Sequence, residues 1–154
     1  MDPEEAPGWR DMYRDNPYYF SRDFPRIPGL DPIDVPARLR RAAGGADRRA
    51  ARHYTAWKYL LGHTRESGIR LVHGIHDGGT GSQPGEQAWV EIDGGITFDA
   101  STKQFYVSDS FLAAVHAEVN HTYTPDEAAR LMLRTDHPGP WSDEERHTAD
   151  EQGG

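Results

Sequence analysis

Apolar residues recur with two different periods along the chain. Ala50, His53, Tyr54, Trp57, Leu60 and Leu61 fall at steps of three and four, which makes one stripe of a helix. Asp47 is the candidate cap and Gly68 the candidate left-handed closing residue, so the pattern predicts a helix from 47 to about 67. Asp34-Val35-Pro36 reads as an earlier helix start, with a stop at Gly44-Gly45. After the longer helix come a short β-branched run and then two stretches in which the period shortens to two. Ile69–His73, Ala88–Ile92 and Ile96–Ala100 are predicted strands, and Asp93-Gly94-Gly95 is a hairpin turn because glycine supplies positive φ. The glycine-rich stretch from His76 to Gly85 reads as a mobile flap. Phe111, Leu112, Val115 and Val119 predict one side of a helix capped by Asp109 or Ser110. Thr124-Pro125-Asp126-Glu127 opens a last helix with a capping box and the buried face Ala128, Leu131 and Met132. Helices, a small antiparallel sheet and more helices make an α+β domain.

The ends do not follow this patterning. Residues 1–33 interleave prolines with aromatics (Trp9, Tyr13, Tyr18, Tyr19, Phe20, Phe24) and read as an extended arm. Its rings dock on the domain itself or engage another chain. Residues 142–154 are charged, carry no aliphatic core former, and are expected to be disordered. One core domain over 34–141 remains, of a size that can bury its own core.

Composition narrows the function. The formal charge is −8, and the one arginine cluster (Arg38, Arg40, Arg41, Arg48, Arg49, Arg52) reads as a solvated helical face, so nothing asks for nucleic acid. The absence of cysteine removes disulfides, thiolate metal sites and a thiol nucleophile together. No apolar run is long enough to span a bilayer, and the acidic start is unlike a signal peptide, so no membrane role and a cytoplasmic location are expected. Arginine greatly outnumbers lysine, a bias of GC-rich coding such as that of actinobacteria and their phages.

Three segments in order carry a family resemblance. They are the helix with His53 followed by Gly68-Ile69-Arg70-Leu71-Val72-His73-Gly74, then Gln87-Ala88-Trp89-Val90-Glu91, then Phe98-Asp99-Ala100-Ser101. Together they resemble the core of the transglutaminase-like superfamily, which has a papain-like fold, over about Asp47 to Ser101. The resemblance implies helices packed on a small antiparallel β-sheet, and a triad of cysteine, histidine and aspartate. The cysteine position falls on His53 and the base position on Gln87, while the aspartate is retained as Asp99. Glutamine cannot take a proton at neutral pH, and acyl transfer through a thioester needs a thiolate with its base. The parent reaction is therefore lost.

What remains is a degenerate site that binds a peptide, protein or small-molecule ligand, with Trp89, Glu91 and Tyr54 as further candidate contacts and no cofactor implied. An alternative is a small non-thiol enzyme in which Asp99 orients His53 as general base for hydrolysis, elimination or proton transfer. Each residue also has a plainer reading. His53 can be a hydrogen-bonded core histidine, Asp99 can cap the turn at Ser101 and Thr102, and Trp89 and Trp57 can be core. A second alternative is a metal-dependent activity at His73, His76 and Asp77, whose ligand types suit zinc or non-haem iron. The oligomeric state is left open.

Overall fold

The computed structural model describes residues 27–41, 43 and 52–147. The arm through residue 26, the cap expected at Asp47, the stop at Gly44-Gly45, Arg48, Arg49 and the tail from residue 148 lie outside the described residues.

The elements in chain order are α1 (Ala37–Arg40), α2 (Arg52–Gly62), β1 (Arg70–His76), β2 (Gly85–Ile92), β3 (Ile96–Asp99), β4 (Gln104–Val107), α3 (Ser108–Ala114), β5 (Glu118–Tyr123) and α4 (Pro125–Thr135). The strands form one five-stranded sheet in the order β4-β3-β2-β1-β5, and every neighbouring pair is antiparallel. The chain is thus α+β.

Strand alternation sends successive side chains to opposite faces, and paired residues share a face. Leu71 pairs with Val90 and with Tyr123, Val90 with Phe98, and Phe98 with Phe105. This first face is covered by Ala56, Tyr59 and Leu60 of α2 and by Ala128 and Leu131 of α4. Val72 pairs with Trp89, and Trp89 with Asp99. The second face is covered by Phe111 and Val115 around the end of α3, joined by Ile27. The sheet therefore separates two apolar layers.

Local signals explain several boundaries. Asp93 and Gly94 have φ of 55° and 71°, both left-handed, and Gly95 donates to the carbonyl of Ile92, closing the expected hairpin. Thr124 accepts from the Glu127 amide at 3.1 Å, while the Glu127 carboxylate accepts from the Thr124 amide at 2.8 Å. The Thr124→Ala variant is expected to lose about 1 kcal/mol, read as a lower urea midpoint, whereas Thr124→Ser keeps wild-type stability. An unchanged midpoint in the alanine variant contradicts this role.

Other expectations are corrected. Helix α2 ends at Gly62, not near Ser67. The His63 ring lies 2.8 Å from the carbonyl of Tyr59, the acceptor a continuing helix would give to the His63 amide, and that amide turns to Leu60. Helix α1 starts after Pro36 without a side-chain cap, so Asp34 does not cap it. Val119 lies on β5, not on a helix, because long-range pairing with β1 overrides the local helical spacing. Strand β4 has no counterpart among the sequence expectations either.

Nor is the segment from Ser142 through His147 without structure. Ser142 and Glu145 cap each other reciprocally at 2.8 and 3.1 Å, and Trp141 is buried with its indole N–H on Thr135 Oγ1 and the carbonyl of His137. The flap is likewise tied down. Asp77 accepts from the Gly79 amide at 2.7 Å and lies 2.7 Å from His116 Nδ1, while Thr80 donates to the carbonyl of Asp77.

Candidate functional site

The first sheet face carries a polar interruption. His73 shares the phase of Leu71 on β1, and His121 is its register partner on β5. His53, on α2, lies edge-on to His73 with ring centroids 4.7 Å apart. Tyr123 and Trp141 complete the enclosure of His73, with centroids at 5.1 and 5.2 Å. Backbone fills the remaining side. A Cβ on Gly139 would come 2.5 Å from the His73 ring, and Gly139 has a φ of 101°, so glycine is required there on both counts.

His53, His73, His121, Tyr123 and Trp141 line a cleft of about 440 Å³, together with Glu86, Val119, Asn120, Asp143 and Arg146. Arg146 ties down the segment after Trp141 by donating to the Trp141 carbonyl and to the Asp143 carboxylate. Burial drives the His73 pKa down to about 3, helped by the nearby His53, His121 and Arg146. The His53 pKa is also lowered, chiefly by burial, with Glu86 opposing and Arg52 adding to the shift. Both rings are neutral at pH 7. Their Nε2 atoms are buried and have no hydrogen-bond partner among the described residues. A neutral imidazole nitrogen donates or accepts according to tautomer, and both of these atoms lie behind the surface of the cleft rather than on it.

The residues carried over from the family triad are divided between the faces. His53 packs on the His73 face, whereas Asp99 pairs with Trp89 and belongs to the other. Gln87 alternates with Ala88 onto the same side as Asp99 and accepts from Ser101 Oγ at 3.0 Å. The proposed His53–Asp99 pair is therefore corrected, for a reason of strand parity: side chains on opposite sides of a sheet cannot share a proton. Asp99 instead takes its plainer role, since Oδ2 accepts from the Thr102 amide at 3.0 Å and from Thr102 Oγ1 at 2.8 Å.

The metal alternative fails by the same parity. His73 and His76 are three apart on β1 and face opposite layers, and Asp77 is engaged by His116 and Gly79. No group of His, Asp or Glu suited to a metal ion occurs among the described residues. The remaining candidate contacts lie elsewhere than in the cleft. Trp89 is fully buried. Glu91 accepts from Thr97 Oγ1 and Ser108 Oγ at 3.1 and 2.8 Å, tying the start of α3 to the sheet. Tyr54 is exposed and stacks on Trp57 at 6.2 Å. In the arginine cluster, Arg38 pairs with Glu66 at 3.0 Å and Arg52 donates to the carbonyl of Glu86.

The sequence reading missed His121, Tyr123, Trp141 and Arg146. A polar His73 in the apolar phase of β1 was the available signal, and the others follow only once β5 is known. No protein family, curated protein or solved structure matches the chain.

Proposed function

We propose that this chain is a transglutaminase-like domain without thiol chemistry, whose role is to bind an extended segment of peptide or protein. The sequence resemblance supports the first part of this reading. The observation that carries the second is the junction of the cleft with a sheet edge that pairs with no further strand among the described residues. Strand β5 is terminal in the sheet and exposed from Glu118 through Thr122, and Val119, Asn120, His121 and Tyr123 all line the cleft. The opposite edge is partly covered, because the Ile33 amide donates to the Phe105 carbonyl of β4 at 2.8 Å. A peptide that adds a strand to β5 gains main-chain hydrogen bonds and delivers alternate side chains toward His53 and His73. The enzymatic alternative, with His53 as general base, loses the orienting Asp99.

The reading is tested by selecting peptides from a random library on the full chain. Selected peptides are expected to shift the backbone resonances of residues 118–123. Both N-methylation of alternate peptide amides and His121→Ala are expected to weaken binding about tenfold, some 1.4 kcal/mol, with the melting temperature of the variant unchanged. Peptides indifferent to both changes, or no peptide binding tighter than about 1 mM, overturn the proposal.

A further inference from the structure

The second sheet face holds a polar cluster that plays no part in the cleft. His76, Trp89 and Asp99 are all buried there, and His76 Nε2, Trp89 Nε1 and Asp99 Oδ1 have no hydrogen-bond partner among the described residues. Their surroundings are apolar on one side: the His76 ring lies 5.7 Å from Trp89 and 5.7 Å edge-on to Phe111. On the other side the groups are already committed. Asp99 Oδ2 takes both Thr102 donors, and Thr102 Oγ1 lies 2.9 Å from Tyr106 Oη.

The donor and acceptor roles follow from the partners. Gly78 donates its amide to His76 Nδ1 at 3.0 Å, so Nδ1 is an acceptor and the neutral ring carries its proton on Nε2. Burial lowers the His76 pKa, against the pull of Asp99, and keeps the ring neutral. The indole N–H of Trp89 can only donate. Trp89 is the register partner of Asp99, its ring lies 5.7 Å from that of His76, and the Asp99 charge acts on His76, so two buried donors share one layer with one buried carboxylate oxygen. Buried polar groups in folded proteins are almost always satisfied, by protein or by ordered water.

We propose that the unpartnered atoms of His76, Trp89 and Asp99 bind one internal water molecule, held by His76 Nε2–H, Trp89 Nε1–H and Asp99 Oδ1. Three partners are the usual complement of a buried water. The water accepts from both ring donors through its lone pairs and donates one proton to Asp99. It joins β1, β2 and the turn after β3 into one network, and through the Gly78–His76 bond it couples that network to the glycine-rich segment after β1. The site requires no access from solvent in the folded state, in contrast to the cleft on the opposite face.

A high-resolution crystal structure of the full chain tests this, supported by water-to-indole cross-relaxation measured by NMR. The expected result is a single solvent peak within about 2.7–3.2 Å of all three atoms. In solution, the Trp89 indole proton shows a slow-exchange water contact that persists in Thr102→Val, where the neighbouring hydroxyl is removed. A direct hydrogen bond from His76 Nε2 to Asp99 Oδ1 with no solvent peak, a larger ion in the site, or a water contact abolished by Thr102→Val overturns the proposal.

Discussion

The Gly74→Ala variant is expected to lose about 3 kcal/mol of stability, at the upper end of overpacking costs. Gly74 sits in the middle of β1, flanked by β2 and β5. A Cβ there would lie 2.2 Å from the carbonyl oxygen of Glu118 and 2.9 Å from the Trp89 ring. The first contact is with backbone, which cannot rotate away as a side chain can. Strand β5 already departs from regular register between His73 and Gly74, so it is the element that yields. Because β5 forms one wall of the cleft, the same substitution is expected to disturb ligand binding. Denaturant unfolding gives the stability loss, and hydrogen exchange is expected to show lost protection across residues 118–123. Gly85→Ala is the control, since a Cβ there meets nothing within 4 Å, and it is expected to stay within about 0.5 kcal/mol of wild type. Equal stability of the two variants would show that β5 is not held against Gly74.

The second large effect is acid sensitivity arising from the cleft. His73 has an ordinary pKa of 6.5 when unfolded and about 3 when folded. Between those values the unfolded chain binds a proton that the folded chain refuses, so stability falls as the pH falls. Above about pH 6.5 the contribution is fully present, and below it the loss approaches 1.4 kcal/mol per pH unit for this one group. His53, lowered in the same direction, adds to it. Asp99 acts oppositely, because burial raises its pKa and its protonation favours the folded state as the pH falls. Urea unfolding at about pH 7 and about pH 4.5 is expected to show a marked loss for the wild type. His73→Phe keeps a ring against Tyr123 and Trp141 but removes the titration, and the loss between the two pH values is expected to shrink by more than 1 kcal/mol. An identical loss in wild type and variant would place the acid sensitivity elsewhere.

Features that depend on neighbouring residues were legible before the fold was known. The Asp93–Gly95 turn and the capping box at Thr124 act within a few residues, and both hold in the structure. The expected stripe of α2 holds only in part: His53 and Leu60 are buried, Trp57 and Leu61 half-buried and Tyr54 exposed, while Ala56 and Tyr59 carry the buried face instead. Three of the five strands were legible, β2 and β3 from alternation and β1 from a short β-branched run. The other two were not. The Gln104–Val107 strand is only four residues long, and Val119 shares a helical spacing with Phe111, Leu112 and Val115.

The candidate site was less legible, since it depends on parity. A motif can place Gln87 and Asp99 at the right spacing in sequence, yet a shift of one residue in strand phase moves every side chain to the other side of the sheet. Phase is set by pairing across long separations, with His73 beside His121 and Trp89 beside Asp99.

By itself, then, the sequence determined that no thiol chemistry is possible, that the chain combines helices with an antiparallel hairpin, and where the Asp93–Gly95 turn and the Thr124 cap fall. It misplaced the caps expected at Asp34 and at Asp109 or Ser110. The tertiary structure alone decided which histidines meet. His53 joins His73 on the cleft side and His76 joins Asp99 on the other, because the faces of a sheet are assigned by register and by the helices that cover them, and neither is written in any local stretch of residues.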